Sequence, residues 1–175
     1  MTVAYENQFD LKHDTKADSN DIELALIGIE IMEEIQQMAR QQNVHFSLDA
    51  DDGFGCIVKG NNFCLEFGLK SLVAVYLENC HSGNELRMKV TDKGFLLRAL
   101  YVEFPDDIVN LLNGISCENK KTESDITEYK NYIVYLNGDM KTYCDESGCY
   151  TEIVLQTHHF TSFYRKKCRM RHLGV

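Results

Sequence analysis

The sequence has little that announces an active site. It contains no glycine-rich nucleotide loop, no zinc-hydrolase helix, no nucleophile elbow and no internal repeat. No apolar run approaches the roughly 18 residues of a membrane span, which excludes a helical membrane protein. The start, MTVAYENQFDLKHDTKADSND, lacks the basic, apolar and small-residue segments of a secretion signal, so a cytoplasmic location is expected. Proline occurs once, at 105. The seven cysteines are odd in number and irregular in spacing, which speaks against a disulfide framework and for reduced thiols.

What is present describes a globular body and an uneven charge. A chain of 175 residues with 44% hydrophobic and 26% charged residues is expected to form a single domain, 1–175, with its own core. The net charge of −9 conceals a sharper division, because all 27 acids precede residue 165. Residues 1–164 carry −14, and the tail 165–175 carries +5 through Arg165, Lys166, Lys167, Arg169 and Arg171. Such a body repels phosphate backbones and attracts cations, so nucleic acid is expected, if anywhere, only at tail residues 165–171.

The hydrophobic pattern divides the chain. Residues 1–18 read as a loose polar arm. Asn20 and Glu23 have the form of a capping box, and Leu24, Ile27, Ile31, Ile35 and Met38 then recur at helical spacing to about residue 42. Gly28 lies within that helix, where only a close neighbour would justify it. From 43 to 104 the period changes to two, with Gly, Asn and Asp clusters between short runs, the pattern of an antiparallel meander. Within LRMKV, Leu86, Met88 and Val90 face inward while Arg87 and Lys89 face outward. A short helix follows Pro105, and 116–128 reads as a polar surface loop. The expected fold is α+β: one long amphipathic N-terminal helix on an antiparallel, meander-type sheet of about seven to nine strands.

The segment YCDESGCY, 143–150, brings Cys144 opposite Cys149, Tyr143 opposite Tyr150 and Lys141 opposite Glu152. Asn137-Gly138 reads as a second hairpin turn, adding Tyr132 to the tyrosine row. The face with Ile133, Met140, Thr142, Thr151 and Ile153 is expected in the core. The Lys141–Glu152 face, with Tyr132, Tyr143 and Tyr150, is expected in water. Zinc would need about four convergent ligands. His159 stands ten strand residues beyond Cys149, about 33 Å if extended, and His158 points the other way. No metal or cofactor is therefore expected.

These features favour a non-enzymatic binding protein with an acidic surface for a basic protein partner. Its contacts would be Asp49, Asp51 and Asp52 for steering and Tyr132, Tyr143 and Tyr150 for anchoring. The profile, small, acidic and without motifs, is similar to that of immunity proteins that inhibit bacterial nuclease toxins, a similarity carried by no motif. The alternative is a small enzyme or sensor with a Cys/His site, perhaps holding zinc, drawn from Cys144, Cys149, His158 and His159. A third reading is a regulator whose basic tail touches nucleic acid.

Overall fold

The computed structural model describes residues 20–115, 130–134 and 136–159. Strand β1 (Asn20–Glu23) leads directly into helix α1 (Leu24–Gln41). Strand β2 (His45–Asp49), a 3-10 turn (Asp51–Gly53) and β3 (Cys56–Gly60) precede helix α2 (Asn62–Asn79). The hairpin of β4 (Glu85–Thr91) and β5 (Gly94–Leu100) is followed by the short helix α3 (Asp106–Leu112). A helical turn at 130–134, then β6 (Asp139–Asp145), β7 (Gly148–Val154) and β8 (Thr157–His159), complete the described chain.

The strands form two sheets. Five lie in the order β2-β4-β5-β7-β6, with β2 parallel to β4 and the other pairs antiparallel. Three lie in the antiparallel order β1-β3-β8. The parallel pair requires a crossover, and the chain supplies it through β3 and α2. The molecule is thus α+β, with helices packed on a mixed, largely antiparallel sheet.

Helix α1 buries Leu24, Ile27, Ile31, Ile35 and Ala39, which fall three and four residues apart and so share one face. Met38, assigned to that stripe from spacing, is 46% exposed instead. Gly28 touches the sheet: a Cβ placed there would lie 2.7 Å from Val90 Cγ2. The close approach expected of this glycine is present. Inward positions of the sheet are apolar, with Leu86, Met88 and Val90 on β4, Phe95, Leu97 and Ala99 on β5, and Ile153 on β7. The register Tyr143–Tyr150, Lys141–Glu152 and Cys144–Cys149 is the one expected from the turn DESG.

Three expectations are corrected. Residues 62–79, placed by sequence within the meander of short strands, form one helix. Its buried residues, among them Cys64, Leu65, Leu69, Val73, Val75, Tyr76 and Leu77, cover more than half of the circumference, and an apolar face that broad shows no narrow stripe to read. There is accordingly neither a single long helix nor a single meander sheet. Asn20 and Glu23 do not form a capping box, because they lie in β1; the Glu23 carboxylate instead accepts from the Gly55 amide at 3.0 Å. Asn137-Gly138 ends a helical turn rather than closing a hairpin. Asn137 adopts φ 54°, and the Gly138 amide donates back to the Ile133 carbonyl at 3.0 Å. Asn-Gly supplies a left-handed residue equally well to a hairpin or a helix end, so the dipeptide alone does not choose between them.

The contact at Gly28 yields a stability test. Gly28→Ala gains helix propensity of about 1 kcal/mol. Against that, it forces Val90 to shift, at about 1–3 kcal/mol for an overpacked site. Urea melts should show a net loss of about 1 kcal/mol. A net gain would mean that β4 yields easily and that the helix–sheet spacing is not set here.

Candidate functional site

The space between the helices and the five-stranded sheet is filled. Tyr76 of α2 is fully buried, with its ring centroid 4.7 Å from that of Phe104, and Leu112 of α3 is likewise closed off from solvent. The Tyr76 hydroxyl hydrogen-bonds Thr151 Oγ1 at 2.8 Å, and Thr151 Oγ1 hydrogen-bonds Thr142 Oγ1 at 2.7 Å. Both threonines are buried, and their hydroxyls satisfy one another across the β6–β7 ladder. Burial pushes the Tyr76 phenol well above its ordinary pKa, so it stays protonated. This is a neutral, hydrogen-bonded chain with no acid or base ready to act.

The chain continues to the sheet edge. Asn113, just beyond α3, donates from Nδ2 to the Thr142 carbonyl at 2.7 Å and accepts the Thr142 amide on Oδ1 at 2.8 Å. One side-chain amide therefore takes the place of a neighbouring strand's peptide and covers part of the edge of β6.

The opposite face of the sheet is partly exposed among the described residues. Across it the register aligns Ser47, Arg87, Arg98, Tyr150 and Tyr143 in one row. The rings of Tyr143 and Tyr150 meet edge to face, with centroids 3.9 Å apart. Arg98 approaches the Tyr150 ring at 6.0 Å and donates from Nη2 to Ser147 Oγ at 2.8 Å. Its Nε is the buried side-chain atom without a hydrogen-bond partner among the described residues. Asp145 ties the adjoining turn. It accepts from the Ser147 hydroxyl, from the Ser147 amide at 2.7 Å and from the Tyr150 hydroxyl at 3.0 Å. Those bonds, the Ser147 hydroxyl's first, hold its carboxyl below the usual range.

The residues singled out from sequence are dispersed. Asp49 and Asp52 lie at the end of β2 and in the 3-10 turn, where Lys89 Nζ is 3.6 Å from Asp49 and 2.9 Å from Asp52. Asp51 is in the same turn. Two of the three proposed steering charges thus face a lysine of the protein's own sheet. Tyr143 and Tyr150 are adjacent as expected. Tyr132 is not in their row: it sits in the helical turn at 130–134, 6% exposed, with its ring edge-on to Phe67 at 5.2 Å.

Cys144 and Cys149, expected as free thiols, are joined as a disulfide, with their α-carbons 4.1 Å apart. His158 and His159 belong to the other sheet, and His159 Nδ1 lies 3.6 Å from the sulfur of Cys56. Cys56 is buried and also donates to the Asp52 carbonyl at 3.5 Å. Among the described residues no three His, Cys, Asp or Glu side chains converge as a metal site would require. Both the Cys56–His159 contact and the place of Arg98 beside Tyr150 escaped the sequence reading. Each depends on strands more than 50 residues apart in sequence, and no local signal encodes that pairing.

No family model and no curated protein matches this sequence. Solved structures do match in fold. The chain is similar to the catalytic domain of the histidine kinase ThkA in a nucleotide-free form, at 13% identity and TM-score 0.66, over 79% of this chain and 95% of that one. It is similar to the cytoplasmic segment of the histidine kinase QseC, at 12% identity and TM-score 0.63, over 83% of each chain. It is also similar to the mycobacterial sensor histidine kinase MprB, at 10% identity and TM-score 0.62, over 82% of this chain and all of that one. At such identities the likeness is one of fold. It overturns the expectation of an inhibitor or immunity protein holding a basic toxin or nuclease, because the architecture is that of kinase catalytic domains. Among the described residues, no helix is long and apolar enough to cross a membrane.

The buried hydroxyl chain can be tested directly. Thr151→Val preserves shape but leaves Tyr76 and Thr142 without their shared partner, at a cost of about 1–3 kcal/mol in urea melts. The double variant Tyr76→Phe with Thr151→Val should recover part of that loss, because the orphaned phenol is gone. Additive losses would show that the two hydroxyls do not depend on each other.

Proposed function

We propose that this chain binds a nucleotide with a fold of the histidine kinase catalytic type, with residues 1–175 as one folding unit. The observation that carries the proposal is the likeness in fold to solved histidine kinase structures over most of the chain. The likeness to a domain crystallised in a nucleotide-free form makes nucleotide chemistry the first possibility to weigh. A bound nucleotide needs a cavity for its base, N–H or cationic donors for its phosphates, and oxygen ligands for a divalent ion.

Among the described residues, the layer beside α2 does not supply these groups. It is packed by Tyr76, Phe95, Phe104 and Leu112, and its buried hydroxyls are already paired with one another. Helix N-termini are the usual phosphate sites, yet α1 begins after Glu23 and α3 begins with Asp106 and Asp107, carboxylates that repel a phosphate. The N-terminus of α2 is capped by Asn61, which accepts the Phe63 amide at 2.9 Å. In this reading the nucleotide lies outside that packed layer.

The surface for a protein partner in this reading is the partly exposed sheet face around Arg98, Tyr143 and Tyr150. Tyrosine and arginine are the side chains that most often anchor protein interfaces, and here each is held in place by its neighbours. Arg87 is already paired with Glu85, while Arg98 Nε has no partner among the described residues and suits an acidic group of a partner.

Calorimetric titration with ADP and with a non-hydrolysable ATP analogue, each with magnesium, tests the proposal. Saturable binding tighter than about 1 mM is expected, the concentration that corresponds to about −4 kcal/mol. No saturable binding at that concentration would sink it.

A further inference from the structure

The two cysteines of the β6–β7 tip carry an inference that does not depend on the reading above. They are direct cross-strand partners with α-carbons 4.1 Å apart. They differ in access, because Cys144 is exposed and Cys149 is fully buried. The remaining cysteines among the described residues are placed otherwise. Cys56 is buried in the β3–β8 ladder, burial raises the pKa of Cys64, and burial pushes the Cys80 thiol up to about 11. An accessible sulfur backed by a buried partner is the arrangement that thiol–disulfide exchange uses, one sulfur to be attacked and the other to leave or resolve.

The bridge also occupies a controlling position. The four-residue turn that it closes, 145–148, is strapped on the partly exposed face by Asp145, Ser147 and Tyr150, and Arg98 donates to Ser147. Beyond the turn, the Tyr101 amide donates to the Ser147 carbonyl at 3.0 Å. On the helix-facing side, Cys149 is opposite Ala99 and the Cys144–Cys149 bridge lies one pair beyond Tyr143–Tyr150. β6 is the outer strand of its sheet, so its end is held by β7, by the bridge, and by Asn113 two residues back at Thr142. Opening the bridge removes the covalent tie at the point where the ladder ends.

We propose that Cys144–Cys149 is a reversible redox clasp that sets the order of the Tyr143, Tyr150 and Arg98 cluster on the partly exposed face. In the reducing direction, the thiolate of a low-molecular-weight thiol attacks Cys144 Sγ. The protein S–S bond breaks, Cys149 leaves as a thiolate and takes a proton. A second thiolate then attacks the small-molecule sulfur of the mixed disulfide and releases Cys144. The protein disulfide and two thiols become two protein thiols and one small-molecule disulfide, and oxidation is the reverse.

The test equilibrates the full chain in reduced and oxidised glutathione mixtures, quenches with an alkylating agent and maps the products by peptide mass. Amide exchange is followed at 145–148 in the same samples. Cys144 and Cys149 should interconvert as a unit between two alkylated thiols and one bridge, while Cys56, Cys64 and Cys80 remain alkylatable thiols once the protein is unfolded. Amides 145–148 should exchange about tenfold faster in the reduced protein, as expected when a local restraint is lost. Cys144→Ser, at an exposed position, should show the fast exchange in every buffer. Cys144 trapped only as a glutathione mixed disulfide, with no internal bridge at any ratio, would overturn the proposal. So would a bridge whose formation leaves the exchange of 145–148 unchanged.

Discussion

Helix α2 has apolar residues around most of its circumference, and the rest of the fold follows from the need to bury it. A helix with one apolar stripe needs one neighbour; this one needs neighbours on several sides. The five-stranded sheet provides one of them, α1 another, and Tyr132 meets Phe67 of α2 near its N-terminal end. Its central position also explains the parallel pairing of β2 with β4, because a strand that returns beside its predecessor in the same direction must first cross over. Exact spacing comes from small residues: at Gly28 and Gly53 a Cβ would collide with Val90, so both segments approach β4 more closely than any other residue would allow.

The hydroxyl chain that crosses from α2 to the sheet is neutral. Tyr76, Thr151 and Thr142 exchange hydrogen bonds in a setting where an unpaired polar group is costly. A group whose lone pairs and protons are committed to its neighbours contributes register and specificity. The fold is one that kinase catalytic domains share, and a likeness of fold at such low identity leaves the side-chain chemistry to be read from the site itself.

The surface revises the simplest inference from composition. A strongly acidic body suggests attraction to cations everywhere, but charge is distributed by the pleat. Lys89 meets Asp49 and Asp52, Lys70 pairs with Glu34 and Glu66, and Arg87 pairs with Glu85. Exposed pairs of this kind add little stability, yet they set the local sign of the field. The partly exposed face retains Arg98 beside the tyrosine pair, and net charge gave no hint of that.

Local sequence determined the elements whose signals are local. The stripe of α1, the inward and outward alternation of LRMKV, the short helix after Pro105 and the register of the DESG hairpin all rest on spacing within a few residues, where steric and hydrophobic rules act directly. Tertiary structure decided the rest. The helix at 62–79 was hidden because apolar residues on most of its circumference blur the helical period. Asn137-Gly138 became a helix end because the chain before it had coiled. Tyr132 left the tyrosine row for the same reason. The pairings that create the Arg98–tyrosine cluster and the Cys56–His159 contact join β5 to β7 and β3 to β8, strands far apart in the chain. Such pairings are chosen by the packing of whole faces, a long-range balance that no short stretch of residues contains.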